Sequence, residues 1–110
     1  MKTYRILWTR TAERDLESIV DFIALEKPQT ALRKLRALRS KASSLSKNPG
    51  RGRHLPELGH IKGLPFREII IAPWRLVYRI QGDVVQVLSL LDGRRDLEDI
   101  LFERLTAETF

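Results

Sequence analysis

The chain has 110 residues, 43% hydrophobic and 31% charged, which predicts a single globular domain (1–110) with little room for a separate regulatory domain and excludes a disordered chain. It holds no cysteine and two histidines, His54 and His60, so a disulfide framework, a thiolate metal site, a cysteine nucleophile and a His-rich metal cluster are all excluded, and no cofactor is expected. The net charge is +6 and the pI about 10.2. Mean hydropathy is −0.25, and no apolar run approaches a membrane span or a signal peptide, so a cytoplasmic protein is expected.

Tyr4-Arg5-Ile6-Leu7-Trp8 is a run of strand formers. Thr9 or Thr11 caps a helix whose first turn holds Glu13 and Asp15, where the macrodipole favours acids. Ala12, Leu16, Ile19 and Ile23 recur at helical spacing to about Glu26. Pro28 suits the first turn of a second helix, whose stripe is Ala31, Leu35, Leu38, Ala42 and Leu45, ending near Lys47. The short connection predicts an antiparallel helical hairpin. Asn48-Pro49-Gly50-Arg51-Gly52 breaks that helix, and the stretch on to Pro65 reads as a loop. Phe66 to Ala72 is strand-like, interrupted by Pro73. Trp74 to Ile80 is the next strand, with Leu76, Tyr78 and Ile80 on one face and Arg75, Val77 and Arg79 on the other. Gln81-Gly82-Asp83 is a hairpin turn, Val84 to Leu91 a nearly all-apolar central strand, and Asp96 caps a last short helix with Leu97, Ile100, Leu101 and Leu105 buried. The predicted order is β-α-α-β-β-β-α: an α+β layer fold with an N-terminal strand at a sheet edge, a helical hairpin, a three-stranded antiparallel meander and a short C-terminal helix.

The charge is unevenly placed. Residues 28–53 carry eight basic groups (Arg33, Lys34, Arg36, Arg39, Lys41, Lys47, Arg51 and Arg53) and no acid, whereas residues 83–110 are net −4. Such a block is either a solvated helix face or a surface that attracts a polyanion or an acidic protein segment.

Several strings in series resemble the RelE/ParE superfamily of bacterial toxins: Tyr4 to Thr9 with Ala12, Asp15-Leu16 and Ile19; Pro49 with Gly52-Arg53 and Leu55-Pro56-Glu57-Leu58; Phe66-Arg67-Glu68; Pro73 to Ile80; and Leu90 to Leu97. The resemblance spans essentially the whole chain and implies the same fold. It further implies the toxin of a type II toxin–antitoxin system, a plasmid-stabilisation or growth-arrest module held inactive by a cognate antitoxin protein, with no metal and no membrane partner. ParE-like members poison DNA gyrase, and RelE-like members are ribosome-dependent endoribonucleases that cut mRNA.

Self-cleavage of RNA through its 2′-hydroxyl needs a proton acceptor, cations on the phosphate and a proton donor. RelE-like positions that match are Arg67, Arg75 and Arg94. The family's lysine falls on Ile69 and its tyrosine on Ile100, so phosphate-binding groups remain while proton-transfer groups are lost. Glu57 falls on the catalytic carboxylate of the YoeB-like branch, but that branch's closing His-Tyr pair reads Asp92-Gly93 here. The ribonuclease alternative therefore rests on Glu57, Arg67, Arg75 and Arg94, with His54 or His60 substituting as base or acid. Read without the resemblance, Glu57 is an ion-pair partner for a nearby arginine and the histidines are surface loop residues. Arg67, Arg75, Arg79, Arg94 and Arg95 are the expected target- or antitoxin-binding residues, and Glu68, Asp92 or Asp96 are available to pair with Arg79 and Arg95. The missing lysine and tyrosine favour the ParE-like branch, a gyrase inhibitor without catalytic chemistry. A third reading is a member that keeps only antitoxin or nucleic-acid binding.

Overall fold

A computed structural model describes residues 2–58 and 63–93. The predicted C-terminal helix, together with Arg94, Arg95, Asp96, His60 and Lys62, lies outside the described residues. Within them the order is β1 (Arg5–Trp8), α1 (Arg10–Ala24), α2 (Pro28–Ser43), β2 (Arg53–His54), β3 (Phe66–Ile71), β4 (Trp74–Gln81) and β5 (Val84–Asp92). Short 3₁₀ turns cover Ser44–Ser46, Pro49–Arg51 and Pro56–Leu58.

The strands form one sheet in the order β1-β5-β4-β3-β2. β3, β4 and β5 are the predicted antiparallel meander, closed at one end by Gly82, whose φ of +61° suits the hairpin turn. β1 joins β5 in parallel at the edge, Arg5 opposite Val84 and Trp8 opposite Val87. β1 stops there, so β5 outruns it, and α1 serves the remainder. The Leu90 amide donates to the Asp15 carboxylate at 3.0 Å, and the Thr9 hydroxyl donates to the Leu88 carbonyl at 3.2 Å. Thr9 also caps α1, its hydroxyl oxygen accepting from the Ala12 amide at 3.1 Å. Of the two acids expected in the first turn only Glu13 lies there; Asp15 sits further along the helix and closes a sheet edge instead.

The predicted stripes are the buried ones. Ala12 and Leu16 of α1 and Leu38 and Ala42 of α2, followed by Leu45, pack with Ile69, Leu76, Tyr78, Val85, Val87 and Leu90 on one face of the sheet, and Ala31 of α2 is buried as well. A bidentate pair between Arg39 and Glu13 ties the two helices, at 2.7 and 2.9 Å, with the Arg39 guanidinium 4.6 Å above the Trp8 ring. The pair holds the Glu13 carboxyl below its ordinary range, through hydrogen bonding first.

The opposite face departs from expectation. The stretch read as a loop after Gly52 contributes edge strand β2, paired with β3, and then crosses the back of the sheet. There Leu55 and Leu58 are buried against Val77, Leu88 and Leu91, with Leu64 and Phe66 alongside. Leu55 and Leu58, three residues apart across the 3₁₀ turn, build a second small core, which the Pro and Gly around them disguise in the sequence. No helix among the described residues is long and apolar enough to cross a membrane.

Candidate functional site

The back of the sheet carries a four-membered charge cluster. Strand alternation puts Arg75 of β4 on this face, beside Glu68 of β3, which shares it with Phe66 and Ile70. Arg75 Nε donates to Glu68 Oε1 at 2.5 Å. Its two terminal nitrogens grip Glu57 in a fork, Nη2 donating to Oε1 at 2.6 Å and Nη1 to Oε2. Arg53 of β2 donates to the other Glu68 oxygen at 2.7 Å. The Glu68 side chain is 0% exposed and that of Arg75 8%, against 23% for Glu57 and 59% for Arg53. Two carboxylates and two guanidiniums balance, as buried charge requires. The Glu57 carboxyl is held below its ordinary range, chiefly by the hydrogen bonds from Arg75, and the Arg75 guanidinium is pushed further up, chiefly by those to Glu57.

Arg75 and Glu57 line a cleft of about 290 Å³ between the Pro56–Leu58 turn and the β3–β4 hairpin, with Ile70, Ala72 and Pro73 as apolar wall. Ile70 is half exposed there. Gly93 stands beside the cluster: a Cβ on it would lie 3.1 Å from the Pro73 carbonyl and 3.2 Å from the Arg75 side chain. Asp92-Gly93, where the YoeB-like branch carries its histidine and tyrosine, therefore leaves room for the arginine.

Arg67 is elsewhere. It alternates onto the helix-bearing face, opposite Tyr78, and donates to the Gly52 carbonyl at 2.8 Å and the Gly50 carbonyl at 3.3 Å. Tyr78 closes the same corner: its hydroxyl accepts from the Gly52 amide at 3.0 Å and donates to the Pro49 carbonyl. Burial pushes the Tyr78 phenol up. The structure thus brings Glu57 and Arg75 together and puts Arg67 across the sheet from both. His54, on β2, is exposed and pairs in register with Arg67. Arg79 shares the Arg75 face and donates to Gln86 Oε1 at 2.6 Å, while Glu68 is held by Arg75 and Arg53. Arg53 and Glu68 are the cluster members that the sequence did not mark as site residues. A glutamate inside Phe66-Arg67-Glu68-Ile69-Ile70-Ile71 was the available signal, because a carboxylate amid such neighbours needs a cation. Among the described residues no group of His, Asp or Glu is arranged to hold a metal ion.

A sheet with a parallel N-terminal edge strand and a helical hairpin on one face is the fold that the RelE/ParE resemblance implies. Residues 6–97 match the family described as ParE toxin of type II toxin-antitoxin system, parDE, and the chain belongs to that family. It is similar to toxin ParE3 of Caulobacter vibrioides, 32% identical over 94 residues that cover 84% of this chain and 90% of the relative. The fold is shared with the chromosomal ParDE toxin–antitoxin system from P. aeruginosa, with a TM-score of 0.68, 22% identity, and coverage of 82% of this chain and 96% of that one. It is also similar to the toxin–antitoxin complex RelBE2 from Mycobacterium tuberculosis, with a TM-score of 0.61, 27% identity, and coverage of 84% and 93%.

Proposed function

We propose that this toxin acts in the cytoplasm on DNA gyrase, without catalytic chemistry of its own, and is neutralised by a cognate antitoxin. The observation that carries this reading is the separation of Arg67 from Arg75 and Glu57 by the thickness of the sheet. A ribonuclease site needs its phosphate cations and its proton acceptor around one scissile bond. Here the carboxylate proposed as base is held in a fork by Arg75, and a carboxyl kept below its ordinary range is a weaker base. The arrangement suits binding better than proton transfer.

The antitoxin reading uses the same cleft. An incoming carboxylate can compete with Glu57 for Arg75, and an apolar side chain can cover Ile70 and Pro73. Arg75 and Arg79 are the proposed contacts on this surface and Arg67 a proposed contact at the β2–β3 edge, with Arg94 and Arg95 added on the resemblance alone. The test compares two assays on the purified chain. It should inhibit gyrase supercoiling or trap cleaved DNA, and leave ribosome-bound mRNA intact. Clean cuts within translated codons would overturn the proposal in favour of the endoribonuclease alternative.

A further inference from the structure

The basic block belongs to neither face of the cleft. Along α2 the buried positions are Ala31, Leu38 and Ala42, and the opposite side of the helix presents Arg33, Arg36, Ser40 and Ser44. Lys41 flanks this stripe, and Lys47 and Arg51 continue it beyond the helix end, all of them exposed. No acidic residue occurs anywhere between 28 and 53 to neutralise it. Two of the arginines are steadied by hydroxyls: Arg33 donates to Thr30 at 3.0 Å, and Arg51 donates to Ser44. Arg39 and Arg53, in contrast, are engaged by Glu13 and Glu68.

We propose that this outer face of α2 binds the phosphate backbone of double-stranded DNA. Three features select that partner. Exposed arginines and lysines spaced along a helix, with the Ser40 hydroxyl between them, are groups that contact phosphate oxygens, while the Ser44 hydroxyl is spent on the Lys41 carbonyl and on steadying Arg51. The only large apolar side chain that α2 exposes beside the stripe is Leu32, 45% exposed, too little for the desolvated apolar centre that a protein interface needs. The stripe carries no aromatic side chain, so it offers no platform on which the bases of a single strand could stack. A helix that rises about 1.5 Å per residue sets Arg33, Arg36, Ser40 and Ser44 roughly one turn apart, a rigid ladder suited to a stiff, regular duplex. DNA binding by the chain alone stands apart from the gyrase reading and can hold or fail without it.

The test is fluorescence anisotropy of the purified full-length chain with a labelled duplex of arbitrary sequence, titrated from about 50 to 200 mM salt. The triple variant R33Q/R36Q/K47Q should bind more weakly and reduce the slope of log K against log salt by roughly 3, at about 0.9 for each phosphate no longer neutralised. R33K/R36K/K47R keeps the charge and should keep the slope. R5Q/R10Q/R14Q removes the same charge from β1 and α1 and should leave the slope nearly unchanged. Three results would each overturn the proposal: no binding at the lowest salt, equal weakening in the two glutamine variants, or equally tight binding to a single strand of the same length.

Discussion

Arg75 holds two carboxylates, and that sharing makes a quantitative prediction. In Glu57→Gln the guanidinium keeps Glu68 at Nε, and in Glu68→Gln it keeps the Glu57 fork, so either single variant leaves it one counter-charge. Each should cost about 1.5 kcal/mol, the lower end for a hydrogen bond to a charged group, since glutamine retains an acceptor oxygen. The double variant strands a guanidinium that is 8% exposed and that had shared the Glu68 carboxylate with the cation of Arg53. An uncompensated charge at that depth costs about 3–5 kcal/mol, and the repulsion from Arg53 places the loss near the top of that range. The pair should therefore lose about 2 kcal/mol more than the two singles together. Urea unfolding, read as a shift in midpoint at constant slope, measures all three. Adding Arg75→Met to the double variant should restore much of the loss, because an apolar side chain needs no counter-charge. Additivity to within about 0.5 kcal/mol would refute the shared-counter-charge reasoning. The same network warns that loss of toxicity in Arg75→Ala is interpretable only beside a folding measurement.

Two further outcomes follow from the same geometry. Because Arg75 and Arg39 lower the Glu57 and Glu13 carboxyls in the folded state, their stabilisation is complete above the ordinary carboxylate range and is lost as pH falls through the folded values. The unfolding midpoint should hold steady above about pH 5 and fall below about pH 4, less steeply in Glu57→Gln, with the half-exposed Glu13 pair contributing the smaller share. At Gly52 a Cβ would meet the Tyr78 hydroxyl at 2.2 Å and the Glu68 carbonyl at 2.7 Å, so Gly52→Ala should destabilise by about 3 kcal/mol in the same assay. Adding Tyr78→Phe should recover only part of it, because the Glu68 carbonyl remains in the way.

Legibility in the sequence follows periodicity. Leu16, Leu38 and Ala42 repeat at helical spacing and are buried on α1 and α2, and the alternation of Leu76 and Tyr78 against Arg75 and Val77 orients β4 correctly. Leu55 and Leu58 carry too short a pattern, between prolines and glycines, to announce a core of their own. The site is half visible. Strand parity alone puts Arg75 and Arg79 on one face, but whether Arg67 shares it depends on the register between β3 and β4, which opposes Arg67 to Tyr78. The sequence offers Glu57 as an ion-pair partner for some arginine, yet its choice of Arg75 depends on a turn folding back across the sheet.

The pairing of β1 with β5 also sets when this protein comes into being. Arg5 pairs with Val84, and the Asp15 carboxylate accepts from the Leu90 amide. Such distant pairings make folding slow to begin and dependent on the last strand. During synthesis the helical hairpin therefore leaves the ribosome without the sheet it covers, and the domain assembles after β5 has emerged. A chain cut before Val84 has lost the strand that β1 joins, so the sheet cannot close on its parallel edge.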